Sequence, residues 1–132
     1  MSGQAFTRNL MGALAFAATA ALLPASAIAD GPQAIGIAAN HAGLAAAAGD
    51  NNMVHTHLHH VLNCLVGPGG DGFDATPGNP CANAGGGAIP QTTDAATKAK
   101  LTMVASEVRT GIAASDMAAA KKVATDAQTM LK

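Results

Sequence analysis

The near absence of aromatic side chains is the feature that most limits what this chain can fold into. The sequence contains three Phe and neither Trp nor Tyr, and two of the three Phe lie within the first 16 residues, which leaves Phe73. A core without large rings must be packed from Ala, Leu, Ile, Val and Met. Such small side chains suit helices that approach closely, and Ala is the strongest helix former. We therefore expect an all-α fold.

Apolar residues recur at the spacing of an α-helix in four segments. The predicted helices are 32–48, 53–66, about 92–114 and 117–131. Pro32 suits the first turn of the first helix, and "TTD" at 92–94 offers the third helix a Thr cap followed by an acidic residue. Short polar turns, "GDNN" at 49–52 and "SD" at 115–116, join the helices in pairs. This pattern predicts an antiparallel four-helix bundle built from two helical hairpins.

The two predicted hairpins are similar in sequence. The stretch "HAGLAAAAGDNNMVHTHLHHV" at 41–61 aligns without a gap with "EVRTGIAASDMAAAKKVATDA" at 107–127, and the turn dipeptides GD and SD coincide. The second copy carries Glu, Lys, Val, Thr and Asp where the first has its five histidines. The repeat favours two related hairpins, of which only the first has imidazole chemistry.

The first 29 residues have the pattern of a secretory signal peptide. A basic start containing Arg8 precedes an uncharged apolar run at 10–23, and small residues follow. We expect cleavage after Ala29, with Ala27 as the near alternative. The apolar run is shorter than the ~20 residues that span a bilayer, so we expect no membrane anchor.

The mature domain is therefore expected to be 30–132, periplasmic or secreted and without a membrane span. Its length suits one domain. The whole chain has seven basic and eight acidic residues and a net charge of -1, and loss of Arg8 with the leader changes this to -2. This charge argues against nucleic acid as a partner, because binding to phosphates needs clustered Lys and Arg.

The segment 67–91, "GPGGDGFDATPGNPCANAGGGAIPQ", is rich in Gly, Pro, Asn and Asp and is expected to be irregular. Cys64 and Cys81 are the only cysteines, and export favours a disulfide between them. Such a bridge would fasten this long loop between the second and third helices and contribute ~3 kcal/mol in the chain-entropy model. The alternative is that Cys64 is a thiolate metal ligand.

Four of the five histidines lie within six residues of the second helix, "HTHLHH". Side chains three or four residues apart share a helix face. His55 and His59 therefore form a pair on one flank of the apolar stripe, and His57 and His60 form a pair on the other.

The fifth histidine, His41, belongs to the first helix and is expected to point toward the interior. A hairpin that turns near residue 50 places His41 level with His59. We therefore expect a metal site with His55 and His59 as anchors and His41 as third ligand, and His57 with His60 as a possible second site. Three imidazoles suit Cu(II), Ni(II) or Zn(II), and the affinity order favours copper.

Other interpretations of these residues remain open. His41 could be a buried histidine bonded to a carbonyl, and His57 with His60 a solvated flank. Glu107 and Asp126 could add carboxylate ligands from the second hairpin. The methionines in the helices have core spacing, and we interpret them as core side chains and not as Cu(I) ligands: Met53, Met103, Met117 and Met130.

Catalytic motifs are not apparent in the sequence. The glycine-rich stretches "GPGGDG" and "AGGG" lack the strand, helix and Lys of a phosphate-binding loop, and there is no CxxCH for haem attachment. We therefore do not expect an enzyme.

The stretch "HAGLAAAAGDNNMVHTHLHHVL" and its histidine-free second copy resemble the small metal-binding protein family of bacteria. The resemblance covers about 33–66 and 98–131. It implies an exported four-helix bundle that binds copper, nickel and other divalent metals as a periplasmic buffer. Histidines of that family are spread over all helices, whereas here they occupy only the first hairpin, so we expect one or two sites.

These observations predict a non-catalytic metal-binding protein that acts as a buffer, scavenger or chaperone. Since ligating imidazoles must be neutral, binding is expected to weaken as pH falls through ~6.5. The main alternative is a structural or interaction module that presents the loop 67–91. A haem carrier is a third, weaker alternative.

Overall fold

Residues 31–132 form an all-α fold, as expected. The computed structural model describes residues 31–132, which contain five helices and no strand. The helices are α1 Gly31–Ala47, α2 Asn51–Val66, α3 Ala88–Gln91, α4 Ala95–Ala113 and α5 Met117–Leu131. No helix in this part of the chain is both long and apolar enough to cross a membrane. The predicted signal peptide, 1–29, lies outside the described residues.

An aspartate caps the start of each of three long helices. The carboxylates of Asp50, Asp94 and Asp116 accept hydrogen bonds from the backbone N–H three residues later, at 2.7–2.9 Å. Each bond satisfies one of the free N–H groups of the first turn. The third predicted helix therefore begins at Ala95 with an Asp cap, and the expected Thr cap was wrong. Asp50 and Asp116 occupy equivalent positions in the sequence repeat.

The four long helices share one core. Helix α1 packs against α2 and α5, and α4 also packs against α2 and α5. The buried apolar side chains of α1 are all alanines, whereas α2 contributes the largest buried side chains. These include Leu58, Leu62 and Leu65, each 0–1% exposed. Small residues on α1 thus allow the bulky stripe of α2 to approach, which brings the two histidine-bearing helices side by side.

Close approach also requires glycine at one point of the second hairpin. A Cβ at Gly111 of α4 would lie 2.9 Å from the Val123 side chain of α5 and 3.1 Å from that of Leu58. These distances are shorter than ordinary van der Waals contacts. Gly111 therefore lets α4 approach α2 and α5 at the same level.

Two expectations, one about the end of the loop 67–91 and one about the helical methionines, were wrong. The end of the predicted loop forms the short helix α3, because Ala88 is buried, Ile89 packs against the core, and Pro90 lies in a first turn where no N–H bond is lost. Met53, Met103 and Met117 are 42%, 53% and 37% exposed, and of the four helical methionines only Met130 packs against the core. The interpretation of Met53, Met103 and Met117 as core side chains was therefore wrong.

The predicted disulfide is confirmed. Cys64 and Cys81 are bonded, with Cα atoms 5.2 Å apart, and both are buried. Cys64 is therefore not a thiolate metal ligand. The bridge fastens the loop between α2 and α3 to the last turn of α2, one helical turn beyond His60.

Candidate metal centre

Three histidines from two helices converge on one point of the α1–α2 face. The Nδ1 atom of His41 lies 3.1 Å from Nδ1 of His57 and 3.2 Å from Nδ1 of His60. One ring nitrogen of each histidine lies within 4.8 Å of the other two, and all three residues are half-buried. Within residues 31–132, no other three His, Cys, Asp or Glu side chains come together in this way.

Helix geometry and edge-on ring packing produce the convergence. His57 and His60 are three residues apart, so both lie on the flank of α2 that faces α1. The rings of His41 and His60 have centroids 4.7 Å apart and planes at 82°, and those of His57 and His60 are 5.5 Å apart at 73°. The rings of His41 and His57, whose Nδ1 atoms are 3.1 Å apart, have centroids 5.3 Å apart and planes tilted by 38°.

The nitrogen spacing matches that of ligands on a first-row transition metal. With metal–nitrogen bonds of about 2.0–2.1 Å, two imidazole nitrogens lie about 3.3 Å apart on a tetrahedral ion and about 2.9 Å apart on an octahedral one. The observed 3.1 Å and 3.2 Å fall between these values. These two contacts are hydrogen bonds between ring nitrogens in the metal-free protein, and an ion would replace the shared proton. The third separation, between ring nitrogens of His57 and His60, is within 4.8 Å.

A backbone carbonyl fixes the tautomer of His60. Its Nε2 lies 2.7 Å from the carbonyl oxygen of Pro77. Because a carbonyl only accepts hydrogen bonds, Nε2–H must be the donor, and Nδ1 of the neutral ring then carries a lone pair. Metal-ligating histidines almost always donate their second ring N–H to a carbonyl, carboxylate or water in this way.

The electrostatics of the cluster favour neutral imidazoles. Burial, and then repulsion by His60 and His57, lowers the pKa of His41 from 6.5 to about 4. Burial and His60 also lower the pKa of His57. The neutral ring is the form that binds a metal ion. Because Nδ1 of His60 carries a lone pair, Nδ1–H of His41 donates to it at 3.2 Å in the metal-free protein, and an ion bound through Nδ1 of His41 would replace that proton.

His55 and His59 lie on the opposite flank of α2. Nε2–H of His55 donates to the carbonyl of Ala114, at 3.0 Å, and so binds a free carbonyl at the end of α4. Burial lowers the pKa of His59, and repulsion by His55 and His60 adds to this effect, whereas Asp74 opposes it. The Nδ1 of His59 is buried without a hydrogen-bond partner among the described residues.

The structure therefore groups His41 with a different pair from the one expected. His41 lies level with residues 57–60 as the hairpin geometry predicts, but α1 packs against the His57/His60 flank of α2. Spacing along one helix cannot show which flank a neighbouring helix covers. A chelate made by His55 and His59 alone stays a prediction.

The two carboxylates considered as extra ligands are not part of the cluster. Glu107 and Asp126 line a groove of about 300 Å³ between α4 and α5, together with Thr129 and Met130. Asp126 also pairs with Lys122, four residues earlier on α5. The histidine cluster thus lies on the first hairpin and the carboxylates on the second.

Sequence reasoning missed one residue next to the cluster, Asn63. Its side chain is 0% exposed. Its Nδ2 donates to the carbonyls of Asp74 (2.6 Å) and Gly78 (2.8 Å), and its Oδ1 accepts from the N–H of Asp74 (3.0 Å). The signal was an amide side chain within the apolar run "VLNCLV", since buried polar groups require partners.

Comparisons of the chain with protein-family models, with curated proteins and with solved structures found no match. The resemblance to the small metal-binding proteins therefore stays a prediction. Metal chemistry is inferred from the geometry of His41, His57 and His60.

Proposed function

We propose that this protein binds a divalent transition metal ion through the Nδ1 atoms of His41, His57 and His60. The convergence of these three nitrogens, at 3.1 Å and 3.2 Å, is the observation that supports the proposal most strongly. An all-imidazole set suits Cu(II), Ni(II) and Zn(II), and at equal availability the affinity order favours copper.

Three protein ligands leave at least one coordination position for water or an incoming ligand. Structural zinc sites in proteins usually have four protein ligands, whereas a set of three leaves one position open to water or substrate, as in catalytic sites, and equally to an exchanging ligand. The cluster is also half-buried, so an ion can enter and leave. We therefore propose a buffer, scavenger or metal chaperone, in which the metal is cargo.

We propose further that the protein is not an enzyme. The cluster found among residues 31–132 consists of histidines alone, and no catalytic motif is apparent in the sequence around them. Burial, and then the neighbouring rings of His60 and His57, lowers the pKa of His41.

The proposed setting is the periplasm or the cell exterior. The disulfide supports an oxidising compartment, and the leader pattern at 1–29 supports export. We propose that 30–132 is a single domain and that its four long helices form an antiparallel four-helix bundle. The pairing of α1 with α2 and α5, and of α4 with the same two helices, supports this architecture.

A second candidate is an interaction module that presents the loop 67–91. The loop is fastened to α2 by Asn63 and by the disulfide, and to α4 by Arg109. Arg109 donates to the carbonyl of Asp71 at 2.8 Å and forms an ion pair with its carboxylate at 3.1 Å. A loop held at three points is preorganised, which lowers the free energy needed to bind a partner.

Calorimetric titration with Cu(II), Ni(II) and Zn(II) tests the proposed metal site. We expect a Kd below ~10 μM for at least one of these ions at neutral pH. The variant His41→Ala/His57→Ala should lose at least ~100-fold in affinity, because second-shell changes alone lose ~10–100-fold. The matched control is His55→Ala/His59→Ala, which removes two histidines of the same helical region and should bind as the unmodified protein does.

Two results would contradict the proposal. One is binding no tighter than ~10 μM for any of the three ions. The other is loss of binding in the control variant with retention in His41→Ala/His57→Ala, which would favour the other flank of α2.

A further inference from the structure

The buried amide of Asn63 holds both ends of a turn in the loop. It donates to the carbonyls of Asp74 and Gly78, and it accepts from the N–H of Asp74. All three bonds are 2.6–3.0 Å long, and the side chain is fully buried. Breaking these bonds costs free energy, because the fully buried amide of Asn63 would be left without partners.

The turn between these two points is itself well defined. The N–H of Gly78 donates to the carbonyl of Ala75 at 3.0 Å, and the N–H of Thr76 donates to the carboxylate of Asp74 at 2.8 Å. Gly78 has φ +106, a conformation that side-chain-bearing residues rarely adopt. Pro77 lies inside this turn, so the direction of its carbonyl is set by the turn as a whole.

That carbonyl is the one that accepts from Nε2–H of His60. His60, Asn63 and Cys64 are spaced i, i+3 and i+4 on α2, so they share one face. The three hydrogen bonds of the Asn63 side chain and the disulfide therefore fasten the loop directly beside His60.

We propose that Asn63 is a positioning residue for His60, acting through the carbonyl of Pro77. This inference rests on the proposed metal site, in which His60 is a ligand. A neutral imidazole carries its proton on either nitrogen, and the Nδ1–H tautomer has no lone pair with which to bind a metal through Nδ1. By holding the Pro77 carbonyl against Nε2–H, Asn63 keeps the Nδ1 lone pair directed at Nδ1 of His41.

The tautomer of His60 can be measured without any metal. In the metal-free protein above about pH 7.5, where imidazoles are neutral, nitrogen-15 NMR of the side chains reports which nitrogen carries the proton. We expect His60 to be the Nε2–H tautomer in the unmodified protein. In Asn63→Ala we expect a mixture of the two tautomers, and in the control Asn52→Ala, an exposed residue of α2, no change.

A second pair of variants reaches the same turn without opening the core. Gly78→Ala strains a residue at φ +106 whose new Cβ would lie 3.5 Å from Nε2 of His60. Gly69→Ala is its control, because Gly69 has φ +81 in the same loop and nothing within 4 Å of the new Cβ. We expect Gly78→Ala to change the His60 tautomer and Gly69→Ala to leave it unchanged. This pair decides the question if Asn63→Ala does not fold.

Metal affinity provides the second readout. Loss of a second-shell partner lowers metal affinity by about 10–100-fold, so we expect Zn(II) to bind Asn63→Ala and Gly78→Ala that much more weakly than it binds the two controls. A purely structural role of Asn63 would lower stability without changing the His60 tautomer.

Two results would overturn the proposal. One is a His60 that carries its proton on Nδ1 in the unmodified protein. The other is an unchanged His60 tautomer in folded Asn63→Ala or Gly78→Ala. Absence of metal binding by the unmodified protein would instead overturn the proposed function and the ligand role of His60, while the NMR comparison would still decide whether Asn63 sets the tautomer.

Discussion

At the proposed metal site, affinity should resist acid better than at a site built from ordinary histidines. Between about pH 7 and about pH 5.5, the neutral fraction of an imidazole with pKa 6.5 falls about 8-fold. Three such ligands would weaken binding by about 600-fold. In this structure burial and two neighbouring rings lower the pKa of His41 to about 4, so it stays neutral over this interval. With His41 unaffected, the expected loss of affinity is about 8-fold smaller than for three ordinary imidazoles.

The lowered pKa of His41 makes the stability of the metal-free protein more sensitive to acid, whereas it makes metal affinity less sensitive. The pKa of His41 is lower in the folded chain than the ordinary value of 6.5. Between about pH 6.5 and about pH 4 the unfolded chain binds more protons than the folded one, so stability falls as pH falls through this window. The shift corresponds to at most about 3 kcal/mol, which solvent access to the half-buried ring reduces to about 1–2 kcal/mol.

Competition titration of Zn(II) against a chelator, at about pH 7 and about pH 5.5, measures the pH dependence of metal affinity. Circular dichroism checks that the protein stays folded at both pH values. Denaturant unfolding of the metal-free protein measures the pH dependence of stability, and the variant His41→Ala is the control, since it should lose about 1–2 kcal/mol of the pH dependence. A fall in affinity of about 600-fold or more in folded protein would refute the reasoning. Equal pH dependence of stability in the variant and the unmodified protein would refute it as well.

Three further predictions concern packing, the disulfide and the other flank of α2. Gly111→Ala should lower the free energy of unfolding by about 1–3 kcal/mol through overpacking. Gly36→Ala, with nothing within 4 Å of its new Cβ, should raise it by about 0.5–1 kcal/mol. Equal changes of the two variants in denaturant unfolding would contradict this prediction. Reduction of the Cys64–Cys81 bridge, whose cysteines are 17 residues apart, should lower stability by about 3 kcal/mol, and an unchanged unfolding midpoint would count against it. His55→Ala should lose about 1 kcal/mol with its bond to the end of α4 while Zn(II) titration shows the affinity unchanged, and weaker Zn(II) binding would assign His55 to the site.

Features that depend on local sequence could be predicted well. The end of α2 at Val66, the start of α5 at Met117 and the pairing of the only two cysteines agree with the structure. The helix ends follow from residues that are close in the chain, and the disulfide follows because each cysteine has one possible partner. The short helix α3 was missed because the burial of Ala88 that stabilises it comes from distant helices.

The grouping of the histidines depends on how the helices are arranged in space. The two pairs on α2 and the level of His41 could be predicted, because both follow from helix geometry. Which pair faces His41 depends on which flank of α2 is covered by α1, and that is decided by the packing of all four long helices. The hydrogen bonds of Asn63 were missed because they too depend on how distant parts of the chain pack. Their partners lie 11–15 residues away in an irregular loop.

Nitrogen-15 NMR of the five histidines in the Zn(II)-loaded protein tests the central claim most directly. Metal coordination changes the chemical shift of the nitrogen that binds the ion, so each ligand can be assigned to one atom. We expect the Nδ1 atoms of His41, His57 and His60 to be bound to metal and the rings of His55 and His59 to keep their metal-free shifts. Metal-bound nitrogens on His55 and His59, or no change at any of the five rings, would contradict the proposed site.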